Sequence, residues 1–347
     1  MLADLVEHVI AIDPDRDRIT AVVLEAKTKG VVATATFRAT KNGYVALLGF
    51  ADEHTLGGER AFVIEGTRSY GAGVTQAVES AGEWALEFDR TEQKKRGRVK
   101  NDERDAIDIG REALGRERLA EPRRGAEREA VRTHHVARES ALKDRTRAIN
   151  LLKSLVVSAP EDLRARLRGL STKGLVKRCA SLRHAASQPI DERGTRQTLR
   201  LVAQRILTLE GEIAAHEQAI RPLLQSQAPQ VLAQFGVAEW ATAQLLISWS
   251  HPGRCRSEAA FAHLGGSAPI EASSGQTKRF RLSRGGDRQL NRALHVIAVT
   301  RMRDCERTKA YVERRRAQGK TDREIRRCLK RYIARQMFRL LEQGAPS

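Results

Sequence analysis

A chain of 347 residues has room for two or three domains, and its 41% apolar content supports buried cores. Aromatic residues make up only 4%, so Leu, Val, Ile and Ala must fill those cores, which suits helices and disfavours an all-β sandwich. With 62 Lys and Arg against 43 Asp and Glu the net charge is +19; each phosphate met by a basic side chain releases condensed counterions, so nucleic acid is the expected partner.

An acidic membrane surface is the competing polyanion, but no apolar run approaches the roughly 20 residues needed to span a bilayer. The opening "MLADLVEHVIAID" carries acids where a signal peptide is basic, so a cytoplasmic location is expected. Cys179, Cys255, Cys305 and Cys328 lie far apart with no CxxC or His-bearing metal pattern, and are expected as reduced thiols without a catalytic role.

From His8 the chain reads as three successive strands, "HVIAID", "ITAVVLEA" and "GVVATATFRAT", parted by short polar turns as in an antiparallel meander. "GYVALLGFADEH" has helical spacing; an apolar strand "RAFVIEG", a helix "GVTQAVESAG" and a short strand "WALEFD" follow. Three hairpin strands followed by alternating helix and strand predict a mixed sheet of the ribonuclease H type. Beyond Asp89 the composition turns basic, and a helix is expected from near Asp102, where acids in the first turn suit the helix dipole.

From about Gly125 to Leu224 the chain reads as long helices. Leu199, Val202, Ile206, Leu209, Ile213, His216 and Ile220 recur at alternating intervals of three and four, an a/d seam with His216 as a polar residue that sets register. An earlier stripe, Leu142, Ile149, Leu152 and Val156, could pack on it, with the Pro160 region and "SQPIDERG" as turns. An antiparallel hairpin and an oligomerising coiled coil would both bury these faces. The remainder is mostly helical with one irregular insertion, "GGSAPIEASSGQTKRFRLSRGGD", and closes on a basic segment: residues 301–347 hold 15 Lys or Arg and 6 Asp or Glu. In "FGVAEWATAQLLISW" a packing role is expected over direct DNA contact.

Asp13 ends the first apolar strand and Glu65 ends "FVIEG", so both carboxylates should leave the sheet at its edge. Asp102 and Asp105, three residues apart, share one face of the helix that starts there. Four carboxylates from three elements could hold hard Mg²⁺ at one edge, stabilising the attacking and leaving oxygens of a phosphoryl transfer. Each acid taken singly has an ordinary reading as turn residue, cap or solvated charge; their joint placement favours the metal site. Asp15, Asp17, Glu103 and Asp108 should turn away from that edge or lack partners.

"AIDPDRDRITAVVL", "FVIEGTRSYG" and "KNDERDAIDIGREAL" resemble the three acidic motifs of the bridge-RNA-guided insertion-sequence transposases, the one-hundred-ten family. That family's N-terminal domain resembles the RuvC Holliday-junction resolvase and carries a DEDD tetrad. The resemblance implies Asp13, Glu65, Asp102 and Asp105 as ligands of Mg²⁺, two ions per site with Mn²⁺ as a substitute. Asn101 stands where Thr is usual and Arg68 where Gly is common.

"HLGGSAPIEASSGQTKRFRLSRGGDRQLNRALHVIA" is similar to the same family's C-terminal transposase domain, with its proline, Ser-Gly pair, basic strip and Gly-led helix in order. This implies Ser274 as a nucleophile that forms a covalent phosphoserine with DNA, Ser273 being the alternative within register. Taken alone, Ser274 reads as a plain turn serine, and only the ordered family match makes it the nucleophile. No His or Lys beside it marks a triad or dyad, so activation would come from the carboxylate-bound metal, in composite sites between subunits. Lys278, Arg279, Arg281, Arg284 and Arg288 are the expected phosphate contacts, with Arg292 extending that surface; Asn291 replaces a usual arginine.

The expected organisation is therefore α/β plus all-α. A RuvC-like domain of the ribonuclease H fold spans 1–118, a helical, coiled-coil linker domain 119–226, and a C-terminal transposase domain 227–347. The resemblance implies a prokaryotic, nucleoid-associated DNA recombinase with donor and target DNA and a bridge RNA as partners, working as homodimers joined into a tetramer. A RuvC-like metal-dependent endonuclease that cuts by water attack, and a non-catalytic nucleic-acid-binding relic, are the alternatives.

Overall fold

The computed structural model describes residues 1–88, 101–183, 185, 187–271, 275, 280–282 and 285–344, the stretch 280–282 by its backbone alone. The chain forms two compact units, Met1–Arg124 and Gly125–Ser347. Among the described residues no helix is long and apolar enough to cross a membrane.

The first unit is built on one five-stranded sheet of order β3-β2-β1-β4-β5. Strands β1 (His8–Pro14), β2 (Arg18–Glu25) and β3 (Val31–Arg38) form the expected antiparallel meander. Strand β4 (Arg60–Glu65) lies parallel to β1, and β5 (Ala85–Phe88) parallel to β4. The crossovers are α1 (Lys41–Thr55), capped by the Thr40 hydroxyl, and α2 (Ala72–Ser80). This is the ribonuclease H arrangement that the strand pattern predicts, and it agrees with the RuvC-like domain that the resemblance implies.

Period-two alternation divides the sheet's residues between two cores. Ile10, Ile12, Phe62 and Ile64 pack with Leu47, Ala51, Val74 and Val78 under α1 and α2. Val9, Ala11, Ala61 and Val63 pack with Ala106, Ile109 and Ala113 of α3 (Asp102–Leu114) on the opposite face. Gly110 lets α3 seat closely, because a Cβ there would stand 2.3 Å from Leu24 Cδ1 and 3.0 Å from Ala11 Cβ.

The second unit begins with α4 (Ala126–Val157), followed by the short helices α5 (Glu161–Leu167) and α6 (Thr172–Ala180) and by α7 (Ile190–Gln227). His134 and Arg138 of α4 meet His216 and Glu217 of α7, Arg145 meets Glu210, and Leu152 packs with Leu199, Ala203 and Ile206, so the two helices form an antiparallel hairpin within one chain. Leu199, Ile206, Ile213 and Ile220 of the predicted seam are buried, with Val202, Leu209 and His216 half-buried between them. On α4 from Ala141 onward the buried positions are Ala141, Ala148, Leu152 and Val156. The stretch "IDERG" is the first turn of α7, entered from Pro189, and not part of the preceding turn; Asp191 and Glu192 there face the positive end of the helix dipole.

Leu152 is fully buried among Ala148, Val156, Leu199, Ala203 and Ile206. Leu152→Ala is expected to cost about 2–5 kcal/mol, read as a lowered midpoint of chemical denaturation.

The rest of the second unit packs around one core that also takes Val131, Ile220 and Leu224 from the hairpin. Helices α8 (Pro229–Leu232), α9 (Glu239–Trp249) and α10 (Glu258–Leu264) precede a small antiparallel pair, β6 (Pro269–Glu271) and β7 (Phe280–Leu282). Then come α11 (Arg288–Asp304), α12 (Glu306–Ala317) and α13 (Asp322–Gln343). Helix α9 is buried along most of its length, in keeping with a packing role.

Candidate active site

The sheet and α3 bring the four acids to one edge of the first unit. Ile12 pairs with Ile64 in the parallel β1/β4 ladder, so the next residues, Asp13 and Glu65, leave the sheet at one level. Alternation continues Val9–Ala11–Asp13 and Ala61–Val63–Glu65, which turns both carboxylates toward the α3 face.

Helix α3 runs against β1. Its C-terminal end is held at the other edge, where Leu2 N donates to Arg116 O at 3.0 Å and Arg111 Nε to Lys29 O at 3.4 Å. From the contact of Gly110 with Ala11, five helical residues back to Asp105 cover about 7 Å, and two strand residues on to Asp13 cover about 7 Å as well. Asp102 lies one further turn out, four residues before the buried Ala106, as Asp105 lies four before the buried Ile109. Asp13, Glu65 and Asp105 are half-buried and Asp102 is exposed.

A set of four carboxylates has the oxygen-only chemistry that Mg²⁺ takes. Their side chains do not form a closed shell: among the described residues no group of three or more His, Cys, Asp or Glu could hold a metal ion. Asp15, Asp17, Glu103 and Asp108 are all exposed. Asp15 accepts from Arg16 N at 2.7 Å, and Asp17 pairs with the Arg16 guanidinium, as turn residues do.

The two departures from the family pattern each have a local task. The Asn101 side chain caps α3, accepting from Glu103 N at 3.0 Å, so it satisfies the same backbone donor a Thr would. Arg68 Nε lies 3.6 Å from the Glu87 carboxylate, which also accepts from Thr67 Oγ1 at 3.0 Å. Glu87 is buried, and sequence reasoning missed it; the one signal was a Glu inside the apolar strand "WALEFD". Opposite Ile64 in the ladder, it faces away from Glu65 and ties the loop after Glu65 to β5.

Ser274, Ser273, Lys278, Arg279 and Arg284 lie outside the described residues. Along the chain they fall in or beside the β6/β7 hairpin, a feature the sequence reading left as an irregular insertion. Arg281 is the middle residue of β7, paired with Ile270. Gly275 has φ 56° with open space about its Cα, a conformation natural to Gly.

The base of this segment is firmly held. Asp287 N donates to Leu264 O at 2.8 Å, and the Asp287 carboxylate caps α11 by accepting from Gln289 N, Leu290 N and the Ser248 hydroxyl. Gly286 has φ 114°, and a Cβ there would meet Leu264 O at 2.5 Å, so the crossing closes only with Gly. Asn291 Nδ2 donates to Gly265 O at 2.6 Å and its Oδ1 accepts from Lys330 Nζ at 2.7 Å. Burial lowers the Lys330 ammonium pKa from its ordinary value. The residue in place of a usual arginine is thus the bridge from a buried lysine to the start of the loop.

Arg288 is the first residue of α11 and is exposed, as a phosphate contact requires. Arg292 differs from the expectation: its guanidinium binds Glu139 at 2.6 Å and lies 5.2 Å from the Trp240 ring centre, which ties α11 to α4 and α9. His134 and His216 share a hydrogen bond, Nδ1 to Nδ1 at 3.0 Å, across the hairpin. The four cysteines are free thiols, and burial pushes Cys179 up to about 11.

Two family models match the chain. One, described as a transposase of the DEDD type, matches residues 10–159; the other, described as the transposase IS116/IS110/IS902 family, matches residues 230–313. A search of curated proteins finds no match.

Proposed function

The chain belongs to the IS110 family of DNA transposases, and we propose that it cuts and rejoins DNA through a covalent phosphoserine on Ser274, with Asp13, Glu65, Asp102 and Asp105 as the ligands of Mg²⁺. The observation that carries this reading is the shared edge: parallel register sends Asp13 and Glu65 out together, beside the first turn of an antiparallel α3. Ordinary turn and capping acids have no need of a shared edge.

When bound, Mg²⁺, as two ions or with Mn²⁺ in their place, supplies positive charge beside the attacking and leaving oxygens. Ser274 Oγ attacks phosphorus and gives up its proton to a base or to solvent. An Oγ–P bond forms, the bond from phosphorus to one deoxyribose oxygen breaks, and that oxygen leaves as a hydroxyl after taking a proton. In rejoining, a hydroxyl of the incoming strand attacks the phosphoserine and Oγ recovers a proton. One phosphoester replaces another at each step, so no energy source beyond the DNA is needed.

Lys278, Arg279, Arg281, Arg284 and Arg288 bind phosphate oxygens and stabilise the charge that develops on them. Choice of donor and target DNA rests on pairing to a bridge RNA, which the net charge of +19 suits. The active assembly is a homodimer joined into a tetramer.

The test is a trap. Wild-type protein mixed with its element DNA should yield a protein–DNA adduct that survives denaturing electrophoresis; Ser274→Ala should yield none, and Ser273→Ala should behave as wild type. Strand cutting by wild type with no adduct would overturn the phosphoserine in favour of water attack. RNase treatment before mixing should remove the adduct if guidance by RNA is right, and leave it if not.

A further inference from the structure

Helices α12 and α13 form a basic hairpin, of which the last residues of α12 and all of α13 lie beyond the family match that ends at residue 313. On α13, Tyr332, Arg335, Gln336, Arg339 and Gln343 follow the i, i+3, i+4, i+7, i+11 stripe of one helix face, and they line a shallow depression there. Tyr332 is 56% exposed. Its ring meets Tyr311 of α12 edge-on, with centres 6.1 Å apart, and the Arg314 guanidinium lies 5.6 Å from the Tyr311 ring centre.

A single exposed aromatic side chain needs no explanation. This one has ordered cationic neighbours. Glu258 accepts from Arg335 Nε at 2.5 Å and from Arg339 Nε at 2.7 Å, and these two arginines hold its carboxyl below the usual range. One carboxylate thus fixes two guanidiniums and leaves one positive charge over, and Arg314 adds a further cation. Fixing these side chains in advance lowers the entropy cost of meeting a phosphate.

We propose that the Tyr311/Tyr332 face of the α12/α13 hairpin is a binding platform for single-stranded DNA. A base stacks on the exposed Tyr332 ring while Arg314, Arg335 and Arg339 contact the neighbouring phosphates. Stacking on tyrosine needs a free base face, which a duplex interior withholds, and a recombinase that exchanges strands must part its duplex. A ring between guanidiniums suits that partner; a purely cationic surface would serve duplex equally.

The test is binding of fluorescent oligothymidine, read by anisotropy over a range of salt, so it does not depend on strand cutting or on Ser274. Tyr332→Ala should weaken binding about 5- to 150-fold without changing the salt slope, and Tyr332→Phe should stay within about twofold of wild type. Arg314→Ala should instead reduce the salt slope by about 0.7. In the unaltered protein, 5-iododeoxyuridine in the oligonucleotide should crosslink to Tyr332 or Tyr311. Binding by Tyr332→Ala within twofold of wild type, an equal loss on duplex of the same length, or tighter Tyr332-dependent binding of oligouridine than of oligothymidine would each overturn the proposal.

Discussion

Asp13→Asn should lower strand cleavage by about 10²–10³-fold or more while leaving the fold and DNA binding in place. The amide keeps the size and shape of the carboxylate, and the β1 backbone pairing from His8 to Pro14 does not depend on its charge. What is lost is one anionic oxygen donor at an edge where four are proposed to act together. DNA binding should hold or tighten, because one negative charge is removed from a surface that receives phosphates. Asp15→Asn and Glu103→Gln, both exposed and outside the proposed ligand set, should stay within about twofold as surface changes do. Single-turnover cleavage measured across Mg²⁺ concentrations separates the cases: for Asp13→Asn the rate stays low at saturating ion, or saturates only at much higher ion. Cleavage within threefold of wild type would remove Asp13 from the site.

The edge was legible because three local signals agree there. Apolar alternation that ends on an acid marks Asp13 and Glu65 as strand-terminal, and an acidic first turn marks where α3 begins. The α7 seam was legible for a similar reason, since the alternation of three and four survives the polar His216. Its partner stripe was less so. Leu152 and Val156 of that stripe are buried, but nearer the N-terminus Ala141 and Ala148 take the buried places beside half-buried Leu142 and Ile149, because small side chains let two long helices approach closely.

Contacts set by tertiary structure were not legible at all. The Arg292 partner, Glu139, is 153 residues away in sequence, and nothing local distinguishes that arginine from one awaiting phosphate. Strands β6 and β7 have three residues each, too few to show alternation. Arg68 and Asn101 read as departures from a family pattern, and only their partners reveal a tether to Glu87 and a helix cap. For Ser274 the sequence supplies an order of motifs and no base, so its role must be tested through its partners.

Mixing two inactive variants should restore activity if each site joins Ser274 of one subunit to the tetrad of another. Asp13→Asn protein keeps an intact serine, and Ser274→Ala protein keeps an intact tetrad. If serine and carboxylates worked within one chain, every site in any mixture would carry one defect, and the mixture would stay silent. If they work across chains, random pairing leaves roughly a quarter of the sites with both parts intact, because a symmetric assembly draws each half independently from the two variants. The measurement is adduct formation after the variants are co-expressed or mixed and allowed to exchange subunits, with a size tag to show which chain carries the DNA. The adduct should form only on the Asp13→Asn chain, since it alone retains Ser274. No adduct in a mixture shown to contain hybrid assemblies would place the whole site within one subunit, and would require the β6/β7 segment to reach the Asp13 edge of its own chain.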